Sequence, residues 1–378
     1  MHEFRDIHPD HPVTKGRRGA ILLLILVIIV VMGAILTQFT EKGLSEIAGE
    51  GYYVERDRLR ITAFGALETT LAVLADFIVI EESLQAPAQG WGDPIGYAGI
   101  DFGDNVQVTV TFTDHTARLP LNTVDEGTLY LLFDEMGISP DDSLLLTNCL
   151  LDWIDEDDET RIDGAESDEY SFRDIPHRSA NRPIINLEEL SVVEGFDLYF
   201  FDEAGRPNEL FETFAAMVSP YGAGLINANT ASPLTLQAAG GMGDPQLDAI
   251  ADYLAGADGQ PGTGDDRYFA STDELLEVIV EMPPDINLGA RISVLEIGIA
   301  VTEGNAVFDL TAIISLDGSG VADVQTSTGR AASTGATTEN SAPASVEYPF
   351  VFLELTEDVT HNDLRKSSPT DEEDKSET

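Results

Sequence analysis

Eleven carboxylates fall among the twenty-three residues from 152 to 174, in the run LLDWIDEDDETRIDGAE and just beyond it. Counting Asp155 as position 1, acids follow at position 3 (Asp157), 5 (Glu159), 9 (Asp163) and 12 (Glu166), and Arg161 at position 7 offers a carbonyl. This is the ligand spacing of an EF-hand calcium loop, because a hard cation takes about six to eight oxygens and alternate loop positions turn inward. Position 6 is Thr160, where that loop needs Gly for its turn. The spacing therefore predicts a calcium loop of different geometry, with a solvated acidic loop as the alternative. A second candidate is DGQPGTGDD at 258–266, where small residues permit tight turning and let Asp258, Asp265 and Asp266 converge. Its alternative is a flexible acidic turn.

Other chemistry is hard to find. The sequence has no G-x-S-x-G, P-loop, H-E-x-x-H or G-x-G-x-x-G motif. His2, His8 and His11 lie in a basic leader, and His115, His177 and His361 are isolated. His115 follows Asp114 at a strand end and reads as a turn rather than a catalytic pair. The single cysteine, Cys149, stands among leucines and reads as a small buried apolar residue. One cysteine excludes an internal disulfide and Cys-based zinc sites. With 20 Lys+Arg against 68 Asp+Glu, a formal charge of −48, nucleic acid is a poor partner. Divalent cations and basic protein patches suit it better.

The elements that must carry these loops can be read from periodicity. Residues 20–40 carry no charge and are almost wholly aliphatic up to residue 36, long enough to cross a bilayer. Arg5, Lys15, Arg17 and Arg18 precede this run, which places the N-terminus in the cytoplasm and the body outside it. Ile61, Phe64, Leu67, Leu71, Leu74 and Ile78 then recur at steps of three and four, so the helix is expected to continue to about residue 83. Gly43, Gly49 and Gly51 mark a candidate bend, and 86–103 reads as a loop. Val106, Val108, Val110 and Phe112 alternate with polar residues as a strand. Residues 121–284 read as helices with short connections, among them a Leu187-Glu-Glu-Leu stretch like half of a helix-hairpin-helix. From residue 291 the period returns to two, giving three more strands around 295–301, 308–316 and 348–355. Residues 327–345 read as a mobile loop and the tail from 361 as disordered. The fold class expected is α+β, with a long helix on an antiparallel sheet and a helical block inserted between its strands.

These pieces together resemble the minor pseudopilin K of type II secretion systems, the general secretion pathway protein K family. The resemblance rests on KGRRG before the apolar run, DHTARLPLN at 114–122, the acidic run at 150–166, Asn181-Arg-Pro with Leu187-Glu-Glu-Leu, and INANTA at 226–231. It implies a prepilin-type leader at 1–19, cut by prepilin peptidase between Gly19 and Ala20, with methylation of the new terminus. It implies a transmembrane helix at 20–40, a spine helix and first strand at 41–120, and an inserted all-α domain, SAM-like or helix-hairpin-helix-like, at 121–285. Pilin-like sheet strands at 286–357 and a disordered tail at 358–378 complete the plan. It also implies two calcium ions. Asp155, Asp157 and Glu166 match the family's acidic block, and Glu159, Asp163, Asp258, Asp265 and Asp266 are further candidates. Implied partners are the I- and J-type minor pseudopilins, the major pseudopilin, the peptidase and the inner membrane. Most pseudopilins carry Glu at the fifth mature position, where this chain has Leu24; the K subunit shares that exception, as expected of a non-enzymatic subunit at the tip of the periplasmic fibre. The rival readings are a type IV pilus tip protein, a DNA-uptake protein using the hairpin-like pieces, and a membrane-anchored periplasmic enzyme.

Overall fold

The computed structural model describes residues 17–173, 175–222, 224–279, 287–304, 306–316 and 350–358. The leader up to residue 16, the 327–345 loop and the tail from 361 lie outside the described residues. In chain order the elements are α1 (Arg17–Glu81), α2 (Pro94–Ala98), β1 (Val106–Asp114), β2 (Leu119–Pro120), α3 (Glu126–Glu135), α4 (Pro140–Ile154), α5 (Ser167–Tyr170), α6 (Phe196–Tyr199) and α7 (Glu209–Met217). There follow β3 (Val218–Ser219), β4 (Ile226–Asn227), α8 (Pro233–Gly240), α9 (Asp244–Leu254), α10 (Thr272–Val278), β5 (Leu288–Gly289), β6 (Val294–Glu303), β7 (Ala306–Ser315) and β8 (Val351–Asp358).

Two compact units divide the chain, Met1–Arg58 and Leu59–Thr378. In the first, Leu23–Gln38 is an apolar helical stretch whose large side chains, Leu24 among them, are all exposed. The backbone stays helical through Gly43, Gly49 and Gly51. Arg56–Glu81 also has the length and hydropathy of a membrane span, but 44% of its most apolar window is buried, as in a core helix.

The second unit has two cores. In one, the C-terminal part of α1 lays Leu59, Ala63, Ala66, Leu67, Leu71, Leu74 and Phe77 on the sheet. Their steps of three and four make one helical face. Ile61, expected on this face, is instead exposed; Ala63 and Ala66 take the inner positions, where a small side chain lets the helix approach the strands. The sheet answers with Leu295, Ile297, Ile299 and Val301 of β6 and Phe308, Leu310, Ala312 and Ile314 of β7, alternating as period two requires.

The sheet order is β1-β6-β7-β8, antiparallel throughout. β1 pairs with β6 along its full length, from Val106 opposite Glu303 to Asp114 opposite Leu295. The chain between these partners holds α3–α10 and the other core. Phe133, Phe196, Phe200 and Phe214 meet there at ring distances of 5.2–6.3 Å. Two short parallel pairings, β2 with β3 and β4 with β5, tie the block to itself near its entry and exit.

Two local readings change. The 86–103 segment is not all loop: it holds a 3-10 turn at Pro87–Gln89 and α2. The hairpin-like stretch is a 3-10 helix, Leu187–Val192, followed by the single turn of α6. Gly195 between them has φ 81°, and a Cβ there would lie 2.6 Å from Leu145 Cδ2, so the turn and the close approach both call for glycine.

Candidate functional site

The acidic run begins inside a helix. Ser139 caps α4, accepting from the Asp142 amide, and Pro140 opens it. The inner face of α4 buries Leu146, Cys149, Leu150 and Trp153. Asp152 lies in its last turn and Asp155 ends it as C-cap, so a spacing of three puts both carboxylates at one end of the helix. The loop then returns, and Glu166 caps the short α5.

Oxygens of Asp152, Asp155 and Glu166 lie within 4.8 Å of one another, the one such group of three among the described residues. Asp152 is fully buried and Glu166 is 1% exposed. Glu166 Oε2 accepts from the Ser179 hydroxyl at 2.7 Å, whereas Glu166 Oε1 and Asp155 Oδ1 are buried without a hydrogen-bond partner. Burial, with the charges of Asp152, Asp155 and Asp158, pushes the Glu166 carboxyl up to about 7. Burial also raises Asp152, against the pull of its Arg161 bonds. A Cβ at Gly164 would collide with Asp152 Oδ2, so this glycine lets the loop close over the group.

Arg161 supplies one positive charge here. Its Nη1 donates to Asp152 Oδ1 and to Asp155 Oδ2, each at 2.5 Å, and its amide donates to Asp152 Oδ2. The orphaned oxygens and the closed carboxylate group fit a hard divalent cation. Such an ion would share or displace the guanidinium.

Of the residues expected from EF-hand spacing, Asp155 and Glu166 are brought together. Asp157 instead accepts from the Glu159 amide and its carbonyl from Asn181, and Glu159 is exposed. Asp163 takes a left-handed turn at φ 60°. The Arg161 carbonyl accepts from Gly164. Asp152 was missed as a ligand because it precedes the loop; its three-residue separation from Asp155 was the available signal.

In the second acidic loop the carboxylates hold backbone. Asp265 Oδ2 accepts from the Ala257 and Asp258 amides, Asp266 Oδ2 from Gly262 and Asp258 Oδ1 from Gln260. Bonds from the Thr263 hydroxyl and these amides hold Asp265 below the usual aspartate range.

The other motif residues form a joint between sheet and helical block. Asp114 Oδ2, at the end of β1, accepts from Asn227 Nδ2 at 2.7 Å and the Thr230 hydroxyl at 2.6 Å. Asn227 also donates to the buried Gln85 carbonyl. Asn122 donates to the carbonyls of Ile184 and Pro220 and accepts from the Ile184 amide. Asn229 binds Phe269 and Ala290 in the same way. His115 sits in a 3-10 turn, as expected, but is buried: Nδ1 meets Ser219 Oγ at 2.9 Å and Nε2 meets Glu296 Oε2 at 3.1 Å. The His115 bond, and after it the imidazole's charge, hold Glu296 below the usual glutamate range, although burial opposes this.

Similarity to known proteins agrees with this picture. Residues 116–203 match the family model for type II secretion system (T2SS), protein K. The type II secretion system protein K of Pectobacterium carotovorum subsp. carotovorum is 27% identical over 202 residues, 48% of this chain and 59% of that protein. That of Klebsiella pneumoniae is 24% identical over 239 residues, 58% of this chain and 72% of that protein. The match thus spans about three fifths of the Pectobacterium relative's length. In fold, the chain is similar to a chain in the crystal structure of the GspK-GspI-GspJ complex from the enterotoxigenic Escherichia coli type 2 secretion system. That likeness has TM-score 0.52 and 18% identity, and covers 80% of this chain and 97% of that one. The matched domain, which contains the acidic loop, and these relatives bear out the resemblance of this chain to the type II secretion system protein K family.

Proposed function

We propose that this chain is a minor pseudopilin that begins and caps the pseudopilus of a type II secretion system, with a structural rather than enzymatic role. The observation that carries the reading is the fold shared with a chain of a GspK-GspI-GspJ complex over nearly all of that chain. The residues from α1 to β1 with β6–β8 act as the pilin-like body, and the helical block between β1 and β6 as an inserted domain. The leader is cut after Gly19, and the apolar helix from Ala20 anchors the chain in the inner membrane with its body in the periplasm. I- and J-type minor pseudopilins are its first neighbours and the major pseudopilin follows.

Leu24 supports the tip position. Inside a bilayer a Glu must find a positive partner such as a mature N-terminal amine. A subunit without that Glu has no docking group for a subunit above it. A calcium ion held by Asp152, Asp155 and Glu166 would fix the acidic loop. At 258–266, calcium would require new partners for Asp265. Immunogold labelling of sheared fibres tests the position: label at one end is expected, and label spread along the length would overturn the tip assignment.

A further inference from the structure

Large apolar side chains above 80% exposure are rare among the described residues. There are four, and Ile162, Phe172 and Ile175 are three of them. They fall within fourteen residues of sequence. Single exposed apolar residues need no explanation, but a local group marks a binding surface.

The chain beside these three residues lines a cleft of about 580 Å³, through Thr160, two residues before Ile162, and through Ser171 and Pro176, the immediate neighbours of Phe172 and Ile175. Asp158 and Thr160 come from the strand of chain leading to Ile162; Glu166, Asp168 and Glu169 come from α5 and its cap, and His177 and Arg178 from the chain after Ile175. Four carboxylates thus face one guanidinium and one imidazole. Neither arginine within the acidic run relieves this charge: Arg161 is engaged with Asp152 and Asp155, and Arg173 with Glu194 and Asp197. Glu166 lines the cleft but belongs to the carboxylate group assigned to calcium, so Asp158, Asp168 and Glu169 carry the charge left for a partner.

From the acidic cleft and the exposed apolar side chains next in sequence to its lining, we infer that this face docks a partner polypeptide in which Lys or Arg alternates with aliphatic or aromatic residues. The partner's cations enter the cleft, and its apolar side chains cover Phe172, Ile175 and Ile162. Charge complementarity selects this occupant over an acidic or neutral one, and the exposed apolar groups distinguish docking from the general attraction of an acidic protein for cations.

The full chain in zwitterionic nanodiscs is titrated with three labelled, end-blocked peptides by fluorescence anisotropy, with calcium present and empty nanodiscs subtracted. One peptide is basic and apolar (KFRLKF), one basic and polar (KSRSKS) and one neutral and apolar (SFSLSF). At about 0.15 M salt, where distant surface charges are screened, the first is expected to bind at least about tenfold more tightly than either other, a difference of about 1.4 kcal/mol. Phe172→Ser with Ile175→Ser should weaken it by about tenfold, and Asp168→Asn by several-fold, whereas Val79→Ser, an exposed apolar residue on α1, should not change it. The changed side chains are exposed, and unaltered melting would show that each variant folds. Equal binding of KFRLKF and KSRSKS would reduce the face to a nonspecific acidic surface. Equal binding of SFSLSF would reduce it to nonspecific apolar adhesion. Equal effects of the loop variants and Val79→Ser would place binding elsewhere. Any of these results overturns the inference.

Discussion

Asp152 and Glu166 are buried carboxylates grouped with Asp155; Arg161 pairs with the two aspartates, and Asp155 Oδ1 and Glu166 Oε1 are left without a partner. Like charges brought together in a poorly solvated site destabilise the fold unless a cation neutralises them. Calcium at about 100 times its dissociation constant should add roughly 2.7 kcal/mol of stability. Melting with calcium and with a chelator should therefore differ by several degrees, and Glu166→Gln with Asp155→Asn should shrink the difference. Arg161→Gln removes the internal cation, so it should lower the melting temperature in chelator and enlarge the calcium effect. Identical melting of the wild type in both conditions would leave only a loop held by arginine. A second residue-scale prediction concerns Glu296. Its folded pKa is depressed below the ordinary value of 4.5, chiefly by the His115 bond. The folded state thus binds its proton less readily than the unfolded state does. The associated stability is present above pH 4.5 and is lost as pH falls through the lower folded value. Glu296→Gln should flatten the acid limb of a stability-against-pH curve below that pH, and an unchanged acid limb would show that the pair does not couple to folding.

Among the elements, the junctions are more sensitive than the helices. The helical block leaves the sheet after β1 and returns at β6, and short side chains tie the two ends. Asn122 makes three bonds to backbone groups of two other segments. Asn122→Ala should cost about 1–3 kcal/mol by leaving buried amide and carbonyl groups unpaired. Asn122→Asp should not rescue it, because Nδ2, the donor to two carbonyls, is lost. Chemical denaturation checks both; a change within about 0.5 kcal/mol would make the joint dispensable. Gly195→Ala is expected to be comparably harmful, since it meets both a positive φ and Leu145.

For the whole molecule, the pseudopilin reading makes assembly predictions. Replacing Gly19 by a bulkier residue should leave the leader attached, and N-terminal sequencing of the membrane-extracted wild type should begin at Ala20. A mature terminus beyond residue 36 would instead show signal-peptidase cleavage and remove the reading. Leu24→Glu should leave secretion largely intact, because a tip subunit has nothing above it to dock; loss of secretion comparable to deletion would argue for a place inside the fibre.

Periodicity alone carried much of the fold. The buried alternation of β6 and β7 and the helical steps of α1 are local consequences of which side chains avoid water, so they were legible in sequence. The acidic run marked a group of carboxylates in advance, because that many of them close in sequence must be close in space. Which carboxylates meet was not legible, because counting along a loop ignores the helix that Asp155 caps and the glycine, Gly164, that lets the loop close over Asp152. The exposure of Ile61 and the burial of Ala63 depended on how closely α1 approaches the strands. Nor could the sequence show that DHTARLPLN and INANTA form one joint, since Asp114 and Asn227 meet only when β1 and β6 pair across the whole helical block. Local composition determines which elements form and which face of each seeks the core. Contacts between residues far apart in the chain are decided only by packing, where most buried polar groups must find partners.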